Sequence, residues 1–171
     1  MGYLYLIGDG VPKDSARAEE WYRKAAEQGL ATAQAELGGL YFAGDGVPKN
    51  STEAVKWYRK AADQGLAGAQ FDLGNMYMNG DGIAQDHVAG VEWYRRAAEQ
   101  GDAKAQGNLG VAYLNGLGVP QDFVTALMWS NLAAAQGRES AKKNKEILEK
   151  RMTAKQIAEA QRRSSEWKPS R

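Results

Sequence analysis

The 171-residue sequence contains no cysteine, four prolines and a single histidine. Without cysteine there can be no disulfide framework, no thiol nucleophile and no thiolate-bound metal. That absence leaves the compartment open. No run of 18 apolar residues occurs, so no segment reads as a membrane-spanning helix. Residues 1–10 lack a basic start and include Asp9, so no signal peptide is visible. What the chain does contain is ordinary for a folded protein: 43% hydrophobic and 25% charged residues. Its length fits one domain, elongated if it is built from repeats.

Glycine is abundant, at 20 residues, and it recurs at fixed intervals. Four tryptophans, Trp21, Trp57, Trp93 and Trp129, are each separated by 36 residues. The same step relates Leu37-Gly38, Leu73-Gly74 and Leu109-Gly110, with Met1-Gly2 in their register. Tyr5, Tyr41, Tyr77 and Tyr113 follow, then the Gly-x-Gly pairs that begin at Gly8, Gly44, Gly80 and Gly116. The pairs Ala25-Ala26, Ala61-Ala62, Ala97-Ala98 and Ala133-Ala134 precede Gly29, Gly65, Gly101 and Gly137. An internal period of this size marks a repeat architecture.

Each unit reads as two helices. The first, over about residues 67–78 in the third unit, carries Ala69, Leu73 and Tyr77 on one face. Glycines end it, because they reach the positive φ of tight turns. The second helix begins at Asp14, Asn50, Asp86 or Asp122, whose side chains accept from free backbone N–H groups. Asn50 with Glu53 spells a capping box. The Ala pairs allow close helix approach, and the Trp-Tyr pairs fill the space to the neighbouring unit.

The pattern Ala-x-x-x-Leu-Gly-x-x-Tyr-x-x-Gly-x-Gly-Val, then Asp, then Ala-x-x-Trp-Tyr-x-x-Ala-Ala-x-x-Gly resembles the Sel-one-like repeat family, relatives of tetratricopeptide proteins. A tetratricopeptide array has a period of about 34 residues and lacks the Gly-x-Gly turn. The resemblance implies an all-α fold, a right-handed α-α superhelix (solenoid) of antiparallel helix pairs. The array is expected over residues 1–137, as a partial unit 1–29 and full units 30–65, 66–101 and 102–137. Met1 stands in the place of Leu37, so about seven residues of the first helix are missing; an internal start is expected, with fraying there and weak end-to-end association of an otherwise monomeric chain.

Residues 138–171 leave the register and are expected to form a helical cap. Residues 138–152 read as a degraded first helix, and Thr153 to Gln156 as a capping box opening a last helix with Ile157, Ala160 and Trp167. Residues 168–171 are expected to be disordered. On the second helix of three units the outward columns are charged, as in Glu92, Arg96 and Glu99, but in the fourth they become Met128, Leu132 and Ala135. The expected partner of that apolar stripe is the last helix.

No constellation carries catalysis, and none calls for a metal or a cofactor. His87 has no second ligand nearby, and its column holds Ser15, Ser51 and Phe123. The Gly-x-Gly turns follow no strand and lack the Lys-Ser/Thr of a phosphate loop. The competing class is a cell-wall or β-lactam-related hydrolase or binding protein, since the family resemblance and Ser140-Ala-Lys-Lys143 both point there. That chemistry also needs a Ser-Asp-Asn-like element and a Lys-Thr-Gly strand, and the sequence has neither.

The function implied is binding, by an adaptor or scaffold that holds a peptide or protein in the concave face lined by the first helices. Columns that change between units are free to serve a partner: 32/68/104, 35/71/107, 36/72/108, 39/75/111 and 43/79/115. Most of them fall within roughly 60° on the helix surface. The candidate residues are Tyr3, Thr32, Glu36, Phe71, Asp72, Asn75, Lys104, Asn108 and Val111. Asn79 and Asn115 read as helix caps in left-handed geometry. A further alternative lies in charge. Residues 1–137 hold 11 Lys/Arg against 16 Asp/Glu, whereas residues 138–171 hold 11 against 5. A basic tail suits nucleic acid or anionic lipid, but its interspersed glutamates and lack of aromatic platforms favour a solvated surface, so no nucleic acid is expected. For a bacterial member, the periplasm, secretion and the cytoplasm all remain open.

Overall fold

A computed structural model describes residues 1–170. Among these residues there are ten α-helices and no strand: α1 Gly2–Ile7, α2 Ser15–Glu27, α3 Ala31–Ala43, α4 Ser51–Asp63, α5 Ala67–Asn79, α6 His87–Glu99, α7 Ala103–Asn115, α8 Phe123–Ala135, α9 Glu139–Glu149 and α10 Ala154–Glu166. The fold is all-α, a helical solenoid. The chain divides into two compact units, Met1–Gln85 and Asp86–Arg171.

Local chemistry sets the helix ends. Asp14, Asn50, Asp86 and Asp122 cap α2, α4, α6 and α8, each accepting from an amide two or three residues on. Asn50 does this alone: Glu53, expected to complete a capping box, instead reaches Lys56 Nζ at 2.5 Å. The longer side chain gains more from a full opposite charge one turn away than from the cap amide. The first helices end on glycines in the left-handed region, such as Gly80 at φ 79°. Asn79 and Asn115 stay helical, and among the described residues no non-glycine residue has positive φ. Glycine takes the left-handed position without a Cβ penalty, which leaves the asparagines free to serve elsewhere.

From the second Gly-x-Gly turn onward, the second glycine has a different task. A Cβ on Gly46 would collide with the Ser15 carbonyl, and one on Gly82 with Ser51. The turn of one repeat therefore rests directly on the first residue of the preceding repeat's second helix, an approach open only to glycine.

In Met1–Gln85, α1 packs on α2, α2 on α3, α3 on α4 and α4 on α5. Leu37 is fully buried in a cluster with Ala26, Ala33 and Trp57. Arg23 donates to the Tyr41 hydroxyl at 2.5 Å, and Arg59 likewise to Tyr77, which accounts for the constant tyrosine of the first helices. Gln34 and Gln70, both buried, donate to the carbonyls of Ala26 and Ala62. Burial of an amide side chain is tolerable only with such partners. The short α1 leaves Trp21 43% exposed, against 8% for Trp57.

In Asp86–Arg171, α7 packs on α6, α8 and α9, and α8 also meets α9 and α10. Gly118 lies against the His87 carbonyl, Arg95 donates to Tyr113 at 3.0 Å, and Gln106 to the Ala98 carbonyl at 3.1 Å. Thr153 and Gln156 form the expected capping box. The junction of α8 with the final helices differs from expectation. Its core joins Leu127, Ala126 and Leu114 to Leu148 and Ala160, with Phe123, Val124, Met152 and Ile157 against it. Met128 and Leu132 are half-buried, and Ala135 stays exposed. The wider side chains of α8's first turns bury more apolar area than the Ala-rich end, and α10 settles there. Trp167 meets Trp129 edge to face, with centroids 6.2 Å apart. Ser170, in the stretch expected to be disordered, donates its amide to the Glu99 carbonyl at 2.8 Å. Arg171 lies outside the described residues.

Candidate functional site

The changing columns of the first helices fall in both units. In Met1–Gln85 they line three adjoining recesses. One of about 490 Å³ is walled by Tyr3, Thr32 and Glu36 with Trp21, Tyr22 and Leu30. A second, of about 370 Å³, brings Thr32, Glu36 and Asp72 together over Gly39 and Gly68. A third, of about 220 Å³, joins Asp72, Asn75, Asn79 and Asp81 with Phe42. Asn79 donates to Asp81 at 3.2 Å. Phe71 is half-buried and borders none of these three. In Asp86–Arg171, the equivalent of Phe71 is Gly107, buried with its Cα facing Ala133 of α8. Lys104 is exposed there, and Asn108 and Val111 are half-buried.

The sequence columns missed the tyrosine that follows each tryptophan. Tyr58 forms a common wall of the second and third recesses, and Tyr22 of the first. Burial raises the Tyr58 phenol above its ordinary range, and the carboxylates of Asp72 and Glu36 push it further. Tyr22 is raised by burial and then by Glu36. For Tyr94 burial also dominates, opposed by a side-chain hydrogen bond with Asn108. Column 36/72/108 therefore sits beside the hydroxyls of Tyr22, Tyr58 and Tyr94. The visible signal was the constant Trp-Tyr pair, replaced by Ser in the fourth unit. There Ser130 is fully buried beside Gly110.

The remaining candidates are dispersed. Ser140 and Lys143 are both exposed on α9. His87 opens α6, where its backbone carbonyl supports Gly118. No group of three His, Asp or Glu side chains arranged for a metal occurs among the described residues. No helix among them is long and apolar enough to cross a membrane. Three of the tail's basic residues are met by its own acids: Arg162 contacts Glu159 and Glu166, Arg163 contacts Glu159, and Lys142 contacts Glu139. Hydrogen bonds from Arg162 and Arg163 hold the Glu159 carboxyl down at about 2.

The Sel1 repeat matches residues 1–30, 31–66, 67–102 and 103–137. The chain belongs to the Sel1 repeat family. Solved relatives agree. A protective antigen of uropathogenic Escherichia coli strains with an SLR fold is 42% identical, with a TM-score of 0.89 over 97% of this chain. This chain spans only 36% of that antigen's length. A Sel1 repeat protein from Oxalobacter formigenes is 38% identical, with a TM-score of 0.83 over 99% of this chain and 72% of its own. No curated protein matches the sequence at a significant level. Sel1 repeats generally serve protein–protein interaction, typically as non-enzymatic modules, so the family points to protein partners.

Proposed function

We propose that this Sel1 repeat chain is an adaptor that holds an extended segment of a partner protein along the first helices of Met1–Gln85. The observation that carries the reading is the run of recesses in which Thr32, Glu36, Asp72 and Asn75 lie side by side. Asparagine and threonine can donate to and accept from a peptide backbone. The neighbouring aromatic rings supply apolar area that such a segment would cover. Asn108 and Lys104 lie in Asp86–Arg171, where Asn108 supports Tyr94.

A photo-crosslinking side chain at position 36, compared with one at position 56 on the exposed side of α4, tests this reading. Adducts with a defined partner segment are expected from position 36 only, and Asn75→Ala should remove them without altering the melting temperature by more than a few degrees. Equal adducts from both positions would overturn it.

A further inference from the structure

The Tyr58 ring packs in the interior while its hydroxyl opens on the recess. The side chain is 7% exposed, and its hydroxyl has no hydrogen-bond partner among the described residues. Its counterpart Tyr94 has Asn108. A hydroxyl that opens on a recess with no protein partner is left to water, which a ligand group that reproduces its hydrogen bond can replace. Tyr58 faces the 220 Å³ recess, a space suited to one side chain rather than to a drug-sized ligand, whose pockets run from about 300 Å³ upward.

The surroundings select the sign of the occupant. Glu36 and Asp81 make no ion pair among the described residues, and Asp72 lies between them along the groove. The charges of Asp72 and Glu36 are felt at the Tyr58 phenol. An acidic side chain would be repelled, and an aliphatic one would seal the hydroxyl off without a partner. An ammonium or guanidinium group can donate to the phenol oxygen while its charge faces Asp81. Phe42 supplies a wall of the recess and already carries Lys49 Nζ 5.5 Å from its ring centroid, so this ring accepts a cation.

We propose that the recess at Tyr58 receives the cationic side chain of a lysine or arginine in the bound segment. The inference rests on the groove reading above and adds the charge class of the ligand. It is confined to Met1–Gln85: in Asp86–Arg171 the Glu36/Asp72 column becomes the neutral Asn108, engaged with its tyrosine.

The test uses the full chain, isotope-labelled for amide NMR, with N-acetyl-arginine amide as probe and the neutral isostere N-acetyl-citrulline amide as control. Saturable shifts are expected at Tyr58, Asn75 and Asn79, with a Kd on the order of millimolar for the arginine probe and about tenfold weaker for citrulline. Tyr58→Phe and Asp81→Asn should each bring arginine down to the citrulline level; the first removes one oxygen atom and the second alters a surface side chain, so both variants should fold. Equal binding of the two probes, no saturable binding of arginine, or shifts centred elsewhere would overturn the proposal. Crosslinking from position 36 that persists in that event would leave the groove reading standing; crosslinking that fails while arginine binds would remove the groove reading alone.

Discussion

Gln136 donates its side-chain amide to Gln106 Oε1 at 2.9 Å, while Gln106 donates its own amide to the Ala98 carbonyl at 3.1 Å. Gln106 is fully buried and thereby ties three helix ends together. The same relay occurs in Met1–Gln85, where Gln64 donates to Gln34 at 2.7 Å and Gln34 to Ala26 at 3.1 Å. Each amide uses its donor backward and its acceptor forward, so the series can be extended unit by unit.

Gln106→Glu replaces the donor by a carboxylate of nearly the same shape. Ionised, it would face the Ala98 carbonyl in a buried site, and burial raises its pKa in the folded state above the unfolded value of about 4.3. Stability should therefore be close to that of the parent chain below about pH 4 and lost as pH rises through the folded pKa, by about 3 kcal/mol at pH 8. Urea unfolding at the two pH values measures this, and a pH-independent difference would contradict it.

Gly118→Ala and Gly137→Ala separate conformational cost from collision. Both glycines have positive φ, 70° and 85°, which costs a side chain about 1 kcal/mol. Only Gly118 also lies against a backbone carbonyl, that of His87. The Gly137 variant should lose about 1 kcal/mol, and the Gly118 variant at least about twice that. Equal losses by denaturant titration would show that the turn can shift away.

Removal of residues 138–171 uncovers Leu114, Ala126 and Leu127 on α7 and α8. The truncated chain should remain helical yet associate and bind a hydrophobic dye, both read by light scattering and fluorescence. Trp167→Ala is the milder form of the experiment: it should reduce the near-ultraviolet circular dichroism that arises from the Trp129–Trp167 pair and leave the far-ultraviolet signal unchanged. A monomeric truncate without dye binding would refute the capping role.

Asp122 caps α8 with a carboxyl held below its usual range. Burial works against its ionisation, but the Thr125 hydroxyl, the amides of Thr125 and Val124 and the charge of Arg163 outweigh that effect. A carboxyl with a lowered folded pKa contributes stability above its unfolded pKa and loses it as pH falls through the folded value. Asp122→Asn keeps a capping oxygen but cannot titrate. Its melting temperature should fall below that of the parent at pH 7 and converge with it as pH drops under about 4. Parallel curves would exclude this contribution.

Much of the architecture was legible because it is written in local chemistry. A cap residue, a glycine at a helix end and a Leu or Ala every turn act within one helix or one turn, and repetition at 36 residues multiplies each signal. The candidate groove was only partly legible. Changing columns selected Thr32, Glu36, Asp72 and Asn75, which line adjoining recesses, but they also selected Phe71, which lines none of them. A column shared by three units reads as one that stacking demands, and that conceals Tyr58, whose hydroxyl opens on the groove. A column can serve the core with its ring and the surface with its tip, and a comparison of residue identities does not separate the two.

The sequence by itself determined the period, the helices, their caps and the family, since these follow from residues within a few positions of one another. Tertiary structure alone decided how the Trp129 helix closes the array. Its apolar stripe was plain in Met128, Leu132 and Ala135, yet the buried cluster that Ala160 of α10 joins holds Ala126 and Leu127, with Phe123 and Val124 against it. Where two helices meet depends on the shapes of both, and a one-dimensional pattern records which side is apolar but not where along it the partner fits best.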